Sequence, residues 1–152
     1  MTFKIKITKK KAEVIYSDEQ SLSGSFFTSL QTPGHEGNEF ILDLLVSENK
    51  YLPFELHEGK IALLQKECIA MVVLTNPDMK KGLTYQQIIP VKVHFLSGKI
   101  IEGKVYSDLP VSNSRLSDFL NQSKTFFYLD VGDKDFLVNS RFVKIVYPIL
   151  SD

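Results

Sequence analysis

The chain has 152 residues, enough for one domain with a real core or for two small ones. It is 43% apolar and 24% charged, the composition of a folded globular protein, with 18 basic residues against 18 acidic. Residues 1–76 carry 8 basic and 10 acidic side chains and residues 77–152 carry 10 and 8, so neither half has the positive excess that non-specific nucleic-acid binding usually needs.

The opening MTFKIKITKKK has no apolar core of a secretion signal, and the longest apolar run, Ile69 to Leu74, is far short of the ~20 residues of a spanning helix. The chain is therefore expected to be cytoplasmic. Phe3, Ile5 and Ile7 alternate with polar residues and predict a strand, and Lys9-Lys10-Lys11 reads as a solvated strand edge. Ala12 to Phe27 predicts a hairpin. The loop TPGHEGNEF, Thr32 to Phe40, carries His35, Glu36 and Glu39 but lacks the second histidine of H-E-x-x-H, so no metal site is expected there. Asp43-Leu44-Leu45 predicts a short helical turn, followed by strands around Tyr51 to Phe54 and Ala62 to Leu74. Cys68, the single cysteine, lies in the apolar run KECIAMVVL and is expected to be a buried, inert thiol.

Breakers in TNPDMKKGLTYQQIIP mark a linker over 77–90. Val91, Val93 and Phe95 then alternate with Lys92 and His94, a half-buried strand that turns at Ser97-Gly98 into Lys99 to Tyr106. SNSRLSDFLN predicts one or two helical turns, with Leu116, Phe119 and Leu120 on one face and Ser112 or Ser114 as cap. DVGDKDF is a hairpin with Gly132 and Asp133 in the turn; it lacks the glycine at loop position 6 and the closing glutamate of an EF-hand calcium loop. Val143 and Ile145 belong to a last strand.

The second series repeats the first. A shift of 79 residues places Ala12–Phe27 over Val91–Tyr106, with Gly24 on Gly103; a shift of 75 places Asp43-Leu44-Leu45 on Asp118-Phe119-Leu120 and Tyr51-Leu52 on Phe126-Phe127; a shift of 74 places Ala62–Leu74 over Phe136–Pro148. Three segments matching in the same order predict an internal duplication. Each copy then holds a hairpin, a short helix, a hairpin and a last strand. The fold expected is all-β with short helical segments: a first small barrel over 1–76 with an extra N-terminal strand, a linker over 77–90 and a second barrel over 91–152, packed together because a barrel of about 60 residues is marginal alone.

VKVHFLSGKIIEGKVYSD, with Gly98 and Gly103 spaced as G-x4-G and Asp108 following, resembles the opening of the Sm-like and SH3-like small β-barrels, and LVNSRFVKIV resembles their close. The resemblance implies a pair of tandem barrels. It departs at the Arg-Gly pair of Sm-like RNA sites, where this chain reads Asn139-Ser140 and, in the first copy, Gln65-Lys66; Glu19 stands where the first copy needs the turn glycine.

No catalytic, metal or cofactor motif is present in the sequence, and no enzyme activity is expected. The candidate interaction residues are the aromatics Tyr51, Phe127 and Tyr128 and the cations Arg141 and Lys144. Phe126, Phe127 and Tyr128 follow one another on a strand, so at least one ring must leave that strand's core side. The function expected is a non-catalytic protein-interaction or assembly module with a protein partner or a second copy. The alternative is binding of RNA or single-stranded DNA through Lys92, Lys104, Arg141 and Lys144.

Overall fold

The computed structural model of the chain describes residues 7–29, 39–75, 83–109, 116–122 and 125–149. Phe3, Ile5, His35, Glu36, Ser112 and Ser114 lie outside the described residues. Where apolar and polar residues alternate, strands form: β1 (Ile7–Tyr16) and β2 (Ser21–Ser29), then β3 (Tyr51–Leu56), β4 (Ile61–Gln65) and β5 (Ile69–Leu74). The second series is β6 (Gln87–Phe95), β7 (Ile100–Ser107), β8 (Phe126–Asp130), β9 (Asp135–Asn139) and β10 (Val143–Pro148). Helix α1 (Ile41–Leu45) joins β2 to β3, and α2 (Leu116–Gln122) lies between β7 and β8. A single 3-10 turn precedes β5 (Lys66–Cys68) and another precedes β10 (Ser140–Phe142). Strand β6 begins inside the segment expected to be linker.

The described strands form one antiparallel sheet of ten, in the order β10-β6-β7-β8-β9-β5-β1-β2-β3-β4. Within it the same arrangement occurs twice. Over residues 7–74 the fifth strand lies beside the first, and the second, third and fourth follow; over 87–148 the order is the same. We call these stretches the first and second units. The sheet is all-β as expected, but the two expected closed barrels are not what the strands build. Among the described residues β4 does not pair with β5, and the outer edge of β9 pairs with β5 of the first unit rather than with β10. The sheet is therefore open, with β10 and β4 at its two ends.

Local chemistry explains the turns. Gly98 closes the β6–β7 hairpin at φ 95°, a left-handed conformation that glycine adopts without strain. Its counterpart Glu19 holds φ 71° in the β1–β2 hairpin, where a side chain is strained. Gly24 and Gly103 have a different role. A methyl group on Gly103 would lie 2.8 Å from the Asp130 carbonyl oxygen and 2.8 Å from Leu129 Cγ; on Gly24 it would lie 2.6 Å from the Phe54 ring and would also collide with the Glu55 carbonyl. Each glycine lets the third strand of its unit cross close over the second. At the start of α1 the backbone N–H of Phe40 donates to Asp43 Oδ2 at 2.8 Å, so the aspartate caps the helix.

Two apolar cores form on opposite faces. The first gathers Val14, Phe26, Leu45, Leu52, Phe54 and Leu64 of the first unit, with the Phe26 and Phe54 rings edge to face at 4.9 Å. The second gathers Val91, Val93, Ile101, Val105 and Leu129, against which Phe119 and Leu120 of α2 pack. Cys68 is exposed in its 3-10 turn, contrary to the buried thiol expected, because the apolar run begins only at Ile69 once the turn has ended.

Two substitutions test this account. Glu19→Gly is expected to stabilise the fold by ~1 kcal/mol by relieving the left-handed strain. Gly103→Ala is expected to destabilise it by ~1–3 kcal/mol by overpacking against β8. Urea unfolding monitored by circular dichroism reads both.

Candidate interaction surface

The central strands carry apolar residues on both faces, and the alternation of side chains sends them to different cores. On β8, Phe126 and Tyr128 enter the first core and Phe127 and Leu129 the second. On β9, Leu137 joins the first core and Val138 the second; on β5, Val72 joins the first and Met71 the second. Each unit thus inserts side chains into the core of the other. This places two candidates named from the sequence: Phe127 and Tyr128 are buried, in different cores, and neither offers a stacking face. The ring that had to leave its strand's core side does so, into the other unit. Tyr51, the counterpart of Phe126, stays exposed at 54%.

A polar cluster closes the far end of β8 and β9. Asp130 and Asp135 face each other across the hairpin and are both buried. Tyr106 donates its hydroxyl to Asp130 Oδ2 at 2.5 Å, and Tyr128 donates to Asp135 Oδ1 at 2.6 Å. The two rings stack at 5.6 Å, and Tyr85 meets Tyr106 edge to face at 4.8 Å. Burial first, and then the hydrogen bond to the carboxylate, push both hydroxyls well above the ordinary tyrosine value.

The cations are spread out. Arg141 Nη1 lies 3.5 Å from Glu67 Oε2, and Lys92 Nζ lies 3.5 Å from Glu102 Oε1. Lys144 and Lys104 are exposed on strands at different places in the sheet. Among the described residues no group of three or more His, Cys, Asp or Glu side chains is placed to hold a metal ion. No described helix is long and apolar enough to cross a membrane. A groove of about 560 Å³ runs between the two units, lined by Glu13, Ile15, Glu19, Phe95, Lys99 and Phe142.

Exposed apolar residues lie on both end strands of the sheet. On β4, Ile61 is 54% exposed and Leu63 67%, beside Tyr51 on β3. On β10, Ile145 is 37% exposed and Tyr147 48%, with Tyr147 against His94 of β6 at 5.1 Å. Among the described residues each of these strands pairs on one side only. Ile61, Leu63, Ile145 and Tyr147 were not picked out from the sequence. Their signal was present: IALL and IVYPI are apolar at successive positions, as IAMVVL and FFYL are, and those last two runs are buried on both faces.

No family model, curated protein or solved structure matches this chain.

The tyrosine pair makes a pH prediction. Because Tyr106 and Tyr128 hold their protons more tightly when folded, their contribution to stability is complete below pH 10, the ordinary value, and is lost as pH rises above it. In an alkaline titration these two phenols are expected to ionise only as the fold opens, so part of the tyrosinate absorbance should rise together with the loss of circular dichroism. Tyr128→Phe removes one donor from a buried carboxylate and is expected to cost ~1–3 kcal/mol near neutral pH.

Proposed function

We propose that the chain is a non-catalytic assembly module, built by duplication of one Sm/SH3-like five-stranded unit, that captures protein strands at the open ends of its sheet. The observation that carries the reading is the exposure of Tyr51, Ile61 and Leu63 at one end and of Ile145 and Tyr147 at the other, on strands with an unpaired side among the described residues. An edge strand offers a row of backbone donors and acceptors, and an added strand satisfies them while apolar side chains supply affinity. The duplication is supported by the twofold recurrence of strand order and by the matched close approaches at Gly24 and Gly103. The Sm-like resemblance is supported by the left-handed Gly98 turn. A cytoplasmic location goes with this reading, as does the single exposed cysteine.

Nucleic-acid binding has less support. The aromatic rings of β8 are buried, and two of the four cations, Arg141 and Lys92, lie beside carboxylates.

The test uses two labelled peptides, one with the sequence of residues 59–66 and one with that of 143–149, titrated with the intact protein and followed by fluorescence anisotropy. Saturable binding is expected, and it should vanish when alternate backbone nitrogens of the peptide are methylated. No binding by either peptide removes the strand-capture reading. Binding of single-stranded RNA that weakens steeply with salt would favour the nucleic-acid alternative instead.

A further inference from the structure

The joint inside the molecule specifies what fits its ends. At the joint, the fourth strand of the second unit (β9) pairs antiparallel with the fifth strand of the first (β5): Met71 faces Val138, Val72 faces Leu137, Val73 faces Phe136 and Leu74 faces Asp135. The strands left at the ends of the sheet are the other members of the same two classes: β4 is the fourth strand of the first unit and β10 the fifth strand of the second. We propose that the partner is a second copy of this chain, docked head to tail, with β4 of one molecule on β10 of the next in the register of the internal joint. The proposal rests on the strand-capture reading above.

The shift of 74 residues that relates β4 to β9 and β5 to β10 converts the internal register into an intermolecular one. Ile145 then faces Leu64 of the next copy, Val146 faces Leu63, Tyr147 faces Ala62 and Pro148 faces Ile61.

Burial supports the match position by position. Leu137 is fully buried at the joint because it enters the first unit's core, while its counterpart Leu63 is 67% exposed. Met71 is 2% exposed because it enters the second unit's core, while its counterpart Ile145 is 37% exposed. Phe126 is buried by the first unit, and its counterpart Tyr51 is open. Each end therefore displays the apolar side chains whose equivalents fill a neighbouring core at the joint.

Charge agrees as well. At the joint Arg141 lies 3.5 Å from Glu67. These residues are each other's counterparts, so the copied contact again sets arginine against glutamate, with the donor and acceptor exchanged between units. Asn139 Nδ2 donates to the Ile69 carbonyl at 2.8 Å across the joint, and its counterpart Gln65 is also a primary amide. Pro148 has no N–H, so the last of the four residue pairs supplies one hydrogen bond fewer. Because the interface is heterologous, repetition closes a ring or extends a filament according to the rotation per copy.

The experiment is the solution mass of the full chain across a concentration series, by sedimentation velocity. The wild type is expected to form multimers. Leu63→Lys and Ile145→Lys, both at exposed positions and so compatible with folding, should each weaken association by about tenfold or more. The two variants mixed should form a dimer and nothing larger, because each retains one intact end. As a check on register, Ala62→Cys/Tyr147→Cys in a Cys68→Ser background should give covalent multimers on oxidation, and Leu64→Cys/Tyr147→Cys should not. A wild type that stays monomeric at every concentration, or multimers indifferent to both lysine variants, overturns the proposal. If the peptides bind while the intact chain stays monomeric, self-assembly fails and strand capture stands; if neither occurs, both fail.

Discussion

The pairing of β5 with β9 is the constraint on which the rest of the structure depends. It turns two five-stranded units into one sheet, and it gives β8, β9 and β5 apolar cover on both faces. Strands covered on both faces need apolar residues at successive positions, which is what β5 (IAMVVL) and β8 (FFYLD) supply. Each large apolar side chain taken from water there contributes roughly 1.5–3 kcal/mol, so the exchange of Leu137, Phe126 and Met71 between cores is a substantial part of the stability. A register slip of one residue would reverse every one of these side chains, so the joint is well specified.

The same pairing explains the ends of the molecule. Among the described residues β5 and β9 take each other as neighbours, and β4 and β10 are each paired on one side only. Both strands are short, and β10 ends in a proline, features that limit indiscriminate edge-to-edge pairing. The apolar side chains at those ends are nevertheless retained, at positions where a sheet facing water would carry polar ones.

The buried carboxylates Asp130 and Asp135 show how the second unit treats polar groups beside an apolar joint. They lie opposite each other at the β8–β9 turn, and each accepts a hydrogen bond from a tyrosine of the stacked pair. One of those tyrosines, Tyr128, also packs in the first unit's core, so this polar cluster is coupled to the packing between the units.

Much of the fold was legible in the sequence because it is written in short-range chemistry. Period-two alternation located β6 and β10, the Ser-Gly and Gly-Asp pairs located hairpins, the i, i+3, i+4 spacing located α2, and the matched segments anticipated the recurring strand order. The candidate site was legible only in part: Tyr51 is exposed as a surface residue must be, whereas Phe127 and Tyr128 are buried and Leu63, Ile145 and Tyr147 had not been singled out. Local patterns say that a side chain leaves one core, but not whether another core receives it. By itself the sequence determined strands and turns, since these follow from backbone preference and side-chain period. The tertiary structure alone decided that the units share one open sheet, which apolar runs are covered, and which are left facing water, because burial depends on a neighbour supplied from about seventy residues away in the chain.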